Sequence, residues 1–427
     1  MLLCGLPFAI ALGRSAFINL LPTTQLIGVG SHSLGAQDLL FGSLGLCWLL
    51  SKHWRRDVEA PVIDGWWVLG GLILFFLVAE LIIQIAGLGR LSAGAIIDAR
   101  DWFYVPLGFL LMLDMLRRFT AAEAHDLIRL LSRVTVVLTI FYVANSSGAK
   151  IYPYQVYQSI TYGGTTFARD FTTLSIWMGL ALAYYLARPR VTAETVIGLL
   201  ILATGCFFSF TRSTVLTVGL MVMLAILLSA WKRGSYRRAI AIIVSGAVIV
   251  LLAFTVLPVV APAQYAYVGA RFTQLGSVTA AGHTRDLVIR TDKFDAARRA
   301  GAKVDPQLGA GLLDLGAVSS ASAYSTSYDS DWITIVYQFG PVGLAIFGLP
   351  LVVALFSALR SFFRSGDELS ANLSLALLLF AVWALVIRFV SVIYIWWFAL
   401  GLVGVALIAT NSAHRWYEPP PAGVEQP

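Results

Sequence analysis

Runs of about twenty apolar residues recur along the chain, and this repetition constrains the fold more than any motif does. An α-helix rises 1.5 Å per residue, so about twenty residues cross the ~30 Å hydrocarbon core of a bilayer. Such runs fall near 2–21, 34–51, 66–88, 97–116, 127–146, 171–187, 195–211, 213–231, 239–258, 333–358, 372–388 and 391–410. The expected fold is an all-α integral membrane protein with about 12 transmembrane helices. Only 12% of residues are charged and 58% are apolar, whereas soluble domains carry about 25% charged residues. A soluble enzyme, a nucleic-acid binder and a disordered scaffold are thereby excluded.

The loops set the orientation. Lys and Arg gather in alternate short loops: Lys52 to Arg56, Arg117 to Arg133, Arg188 and Arg190, Lys232 to Arg238, Arg360 and Arg364, and Arg415. The opposite short loops hold only Arg90, Arg100, Lys150, Arg169, Arg212 and Arg388. By the positive-inside rule the first set faces the cytoplasm, with both termini inside. The net charge of +7 follows from that bias and calls for no polyanionic partner. The opening MLLCGLPFAIALG has no basic leader segment, so it is expected to be the first membrane helix. Residues 1–258 then hold nine helices, 259–332 form a large external loop, 333–411 hold three more helices, and 412–427 form a short cytoplasmic tail. A connection as long as 259–332 exceeds what joining two helices requires.

Cys4, Cys47 and Cys206 lie in apolar runs, and the five histidines are scattered, so neither a disulfide framework nor a metal site is expected. No cofactor is called for. The informative charges are arginines on the external side, which run against the topological bias. Arg212, in FSFTRST at the tip of a tight outer hairpin, is either an interfacial anchor or a ligand whose guanidinium fork grips phosphate. Arg285 and Arg290 lie on a helix expected over 285–300. Arg388 sits among aromatic residues as an anchor or a substrate contact, and Arg169, beside Asp170, is either an ion-pair partner or a site residue. Asp329 and Asp331 stand at the mouth of a helix beginning near Trp332. Either can cap that helix, bind a divalent cation, or act as a base toward a sugar hydroxyl. Tyr328 and other outer aromatics suit stacking on sugar rings or an interfacial belt. Gly309 and Gly311 allow a tight turn, and Glu80, with Gln84 four residues on, either pairs with Arg14 or lines a cavity.

FSFTRST, Arg285 opening a helix, the Gly309-Ala310-Gly311 turn, and Asp329 eleven residues before Gly340-Pro-Val-Gly343 together resemble the pattern of bacterial O-antigen ligases and polymerases. The resemblance spans the whole topology, with the motifs concentrated in 205–235 and 283–348. It implies a GT-C-like membrane glycosyltransferase of the bacterial inner membrane, working at the periplasmic face on undecaprenyl-diphosphate-linked glycans as donor and acceptor. It further implies a chain-length regulator as partner, Arg212 and Arg285 on the diphosphate, and Asp329 on the acceptor. Ligases of this superfamily usually carry histidine where Asp329 stands, and polymerases commonly carry aspartate, so the resemblance implies a polymerase. GTTFARDFTT lacks the proline-asparagine element that many relatives show after their arginine, which sets Arg169 apart. A ligase, and a flippase or transporter, are the alternative expectations. The latter is disfavoured by charges that gather at one face rather than through the bilayer midplane.

Overall fold

The computed structural model describes residues 27–29, 32–34, 65–88, 121–146, 158–169, 173–209, 212–233, 261–273, 285–311 and 331–386, with scattered helical residues within 42–50, 102–114 and 240–259. In chain order these form β1 (Ile27–Val29), β2 (His32–Leu34), α1 (Gly65–Leu88), α2 (Ala121–Ser146), β3 (Gln158–Tyr162), β4 (Thr165–Arg169), α3 (Thr173–Ala187), α4 (Ala193–Phe208), α5 (Arg212–Arg233), α6 (Pro262–Thr273), α7 (Arg285–Ala302), α8 (Asp331–Arg364) and α9 (Glu368–Val386). Five of these helices contain stretches long and apolar enough to cross a membrane: Trp66–Ala86, Ala122–Ala144, Thr214–Lys232, Ile335–Arg364 and Glu368–Leu385. The protein is a helical, multi-pass membrane protein. The expected runs 2–21 and 391–410 lie outside the described residues, and 34–51, 97–116 and 239–258 are described only in part.

Two short antiparallel hairpins accompany the helices. Strand β1 pairs with β2, so Leu34 closes a strand rather than opening a helix. Strands β3 and β4 pair from Gln158 opposite Arg169 to Tyr162 opposite Thr165. Gly163 and Gly164 join them with φ of +57° and +78°. Two adjacent positive φ values give the tight turn that suits hairpin twist, and the flanking Ile, Thr and Tyr residues favour strands.

Helices α3 and α9 form the centre of the bundle. Every residue from Leu174 to Ala187 is buried, as is most of α9, which is why both helices are apolar all round rather than striped. Small residues let the helices approach. A Cβ on Gly179 of α3 would lie 2.3 Å from the Trp383 ring of α9, and one on Gly205 of α4 would lie 2.3 Å from Thr139 of α2. Lipid tails are as apolar as Leu, so close backbone contact supplies cohesion that hydrophobicity cannot. The outer helices turn apolar side chains outward, with Phe75 71% and Phe356 69% exposed. In water such faces would drive aggregation. Against acyl chains they are satisfied.

Among the described residues, Arg129, Arg133, Arg188 and Lys232 from the basic loops share one end of the bundle. Glu194, in the first turn of α4, draws in Arg133 Nε at 2.9 Å, Arg188 Nη1 at 3.2 Å and Arg129 Nη2 at 3.5 Å. Lys232, at the end of α5, donates to the carbonyls of Phe362 and Ser365 near the end of α8. The hydrogen bond from Arg133, with Arg188 beside it, brings the Glu194 carboxyl from its ordinary 4.5 down to about 2. A lowered folded pKa means the carboxylate stabilises the fold fully above about pH 4.5 and loses that effect as pH falls toward 2. Thermal unfolding in detergent should therefore show wild type melting above Glu194→Gln at neutral pH, with the gap closing on acidification below about pH 4. A gap that stays constant across that range would remove the cluster from the stability of this end.

Candidate functional site

Helix α8 breaks at Gly340, where φ is +60°, leaving a short outer half-helix, Asp331–Phe339, ahead of the long inner one. The cause is local. Pro341 has no N–H to give the Tyr337 carbonyl, and the N–H of Val342 turns away from Gln338 to the Gln307 carbonyl at 3.4 Å. Two carbonyls are thereby freed, and the segment after α7 takes both. Ala310 N–H donates to Tyr337 O at 2.8 Å and Gly311 N–H to Gln338 O at 2.6 Å.

The turn that presents these donors is built on Asp305, whose Oδ1 accepts from Leu308 N at 2.8 Å and Gln307 N at 2.7 Å. Those N–H groups, Leu308 first, hold the Asp305 carboxyl below its usual range. Gly309 and Gly311 have φ of +74° and +91°, as expected of a tight turn. Contact is close on both sides: a Cβ on Gly340 would lie 2.2 Å from Gln307 O. Immediately before the kink, Phe339 packs edge-to-face with Trp102 at 4.7 Å and Phe76 at 5.8 Å, which seats the break in the aromatic core.

Two acceptor oxygens lie next to this clamp. Gln84, whose amide abuts Gly311, donates to Glu80 Oε1 at 2.8 Å. Glu80 Oε2 and Gln338 Oε1 are buried and have no partner among the described residues. Arg14, the expected partner of Glu80, lies outside the described residues.

Five of the expected site residues, Arg169, Arg212, Arg285, Arg290 and Asp331, fall among the described residues. Helix α3 ends at the arginine cluster, so its start, just after Arg169 at the close of β4, lies at the opposite end. Arg212 is the first residue of α5, whose far end carries Lys232. The connection from α4 is only three residues, 209–211, and Tyr142 Oη ties it down by donating to Phe208 O at 2.8 Å. Ser209 Oγ donates to Cys206 O at 2.6 Å and secures the end of α4. Arg285 is the first residue of α7, Arg290 lies on the same helix, and α7 meets the outer half of α8 through Ala297, Ile333 and Tyr337. Asp331 is the first residue of α8. Asp329, Tyr328 and Arg388 lie outside the described residues.

The fold and this end define a membrane-embedded helix bundle with a clamped, broken helix whose outer half opens at Asp331. Comparison with protein-family models and with curated proteins finds no match to the chain.

The clamp makes a direct prediction. Gly340→Ala imposes backbone strain of about 1–3 kcal/mol in addition to the clash with Gln307, and should lower the melting temperature in detergent by several degrees. Gly71→Ala, where a Cβ meets nothing within 4 Å, should be neutral or slightly stabilising in its helix. Equal melting of the two variants would show that the kink is not under this constraint.

Proposed function

We propose that the protein polymerises undecaprenyl-diphosphate-linked oligosaccharide repeats into an exported polysaccharide at the periplasmic face of a bacterial inner membrane. An acceptor-sugar hydroxyl attacks the anomeric carbon of the donor glycan. The new C–O bond forms as the bond to the diphosphate breaks, undecaprenyl diphosphate leaves, and the hydroxyl proton passes to a base. Asp329 takes that proton and orients the acceptor. Arg212 and Arg285 neutralise the charge that develops on the diphosphate. Arg169, Arg290, Arg388, Tyr328 and Asp331 bind the flanking sugars and phosphates.

The observation that carries this reading is the shared position of Arg212, Arg285 and Asp331. Each is the first residue of a helix, at the end of the bundle away from the basic loops. Helix N-termini favour anions through free N–H groups and the helix dipole, and an arginine there adds a bidentate fork. An aspartate at the neighbouring helix start supports work on a hydroxyl beside a bound diphosphate.

Three measurements test this. Arg212→Lys keeps the charge but loses the fork, so polymer formation should fall steeply at unchanged membrane abundance; near-normal polymer would reject the phosphate role. With purified protein and lipid-linked repeat, Asp329→Asn should lose far more activity than Asp331→Asn, and excess chelator should leave wild-type activity in place. Activity that vanishes with chelator, returns with Mg²⁺ or Mn²⁺, and is abolished equally by both Asn variants would make the aspartates a metal site instead. A reporter active only outside the cytoplasm should be active when fused at Gly282 and silent at Gly234, and the reverse pattern would invert the orientation on which the site depends.

A further inference from the structure

At the opposite end of the bundle a half-open cleft of about 440 Å³ lies between the α3–α4 connection and the start of α9. The connection contributes Arg188 and Arg190, and α9 and its cap contribute Asp367 and Glu368. Deeper in the cleft are Leu373 and Ala376, both buried. The charges are not free to collapse onto one another. Arg188 is held by Glu194 at 3.2 Å, and its guanidinium lies over the Tyr184 ring at 5.6 Å. Glu194 also binds Arg129 and Arg133, so three cations face one carboxylate and this side keeps a positive surplus. On the other side, Asp367 Oδ2 accepts from Ser370 N at 2.8 Å, which fixes its carboxylate as the cap of α9.

We propose that this cleft binds a zwitterionic phosphate–ammonium group, with the phosphate on Arg188 and Arg190 and the ammonium on Asp367 and Glu368. A guanidinium fork matches phosphate oxygens, and a primary ammonium offers three N–H donors to carboxylates. A purely anionic headgroup would face two carboxylates, and a quaternary ammonium would have no N–H to give them. The apolar floor and the position at the helix ends, beside the face assigned to the cytoplasmic leaflet, match the headgroup and glycerol region of phosphatidylethanolamine. A free phosphoethanolamine shares the headgroup chemistry without the apolar part. No residue of this cleft takes part in the proposed transfer, so the two readings stand or fall separately.

The test uses the full-length protein, purified in detergent and stripped of lipid. Dioleoyl phosphatidylethanolamine, phosphatidylglycerol, phosphatidylcholine and soluble O-phosphoethanolamine are added back, with retention read by native mass spectrometry and stability by thermal melting. Phosphatidylethanolamine should be retained best and should raise the melting temperature most. Arg190→Gln and Glu368→Gln, both at exposed positions, should each weaken that retention by about tenfold, as expected for one lost charge-assisted contact, with lipid protection read against each variant's own unliganded melting temperature. Protection by the lipid alone assigns the site to the leaflet, and equal protection by O-phosphoethanolamine assigns it to a soluble zwitterion; both support the cleft chemistry. Retention of phosphatidylglycerol or phosphatidylcholine as strong as that of phosphatidylethanolamine, or retention unchanged in both variants, overturns it.

Discussion

Pro341 cannot donate a backbone hydrogen bond, and the end of the bundle that carries the proposed site is organised around that deficit. The freed carbonyls of Tyr337 and Gln338 sit on buried residues, where an unmet acceptor costs about 1–3 kcal/mol. Ala310 and Gly311 meet both. Satisfying them stitches the segment after α7 to the broken helix, and α7 is carried along with it. The break is therefore a joint rather than a weakness. It also detaches Asp331–Phe339 from the long inner part of α8, so the residue that opens this half-helix is positioned by the clamp and by the aromatic cluster around Phe339 rather than by the remainder of the span.

The two ends of the bundle use different chemistry to the same purpose. At the clamped end, backbone groups pair with backbone groups, and glycines make the approach possible. At the basic end, a single carboxylate gathers three guanidinium groups, and a lysine closes two carbonyls. Between them run α3 and α9, buried along most of their length and in contact through Gly179 and Trp383.

Much of this was legible in the sequence, and the boundary of legibility has physical causes. Apolar runs located helices α1 to α5, α8 and α9, with ends that differ by up to six residues at the start of α2 and the end of α8, because span length is set by the bilayer and not by tertiary contacts. The alternation of basic loops anticipated that the regions around Arg129, Arg188, Lys232 and Arg364 would share one end. Gly309 and Gly311 announced a turn. Its partner was not readable, because a carbonyl orphaned by Pro341 is satisfied through space by residues some thirty positions earlier. The role of Glu194 was hidden for the same reason: its arginines come from two other segments. The hairpin at Gly163-Gly164 does carry a local signal, two adjacent glycines between Ile160-Thr161-Tyr162 and Thr165-Thr166. For the proposed site, the sequence places Arg212 at a hairpin tip, Arg285 at the opening of a helix and Asp331 at the mouth of another, and each is the first residue of its helix in the structure.

That shared placement can be weighed. A cation in the first turn of a helix opposes the macrodipole by about 0.3–1 kcal/mol, and the first turn of α5 contains no acidic residue to relieve Arg212. Arg212 therefore occupies a position that stability alone disfavours, on the face where the expected topology also disfavours basic residues, whereas Arg285 is followed in its first turn by Asp286. An interfacial anchor would offset this cost by reaching a lipid phosphate, which the helix N-terminus also favours. A bound diphosphate gains from both, since guanidinium and free N–H groups then act on the same oxygens. In the proposed transfer, the terms that oppose the helix start would act instead to stabilise the charge that develops on the leaving diphosphate.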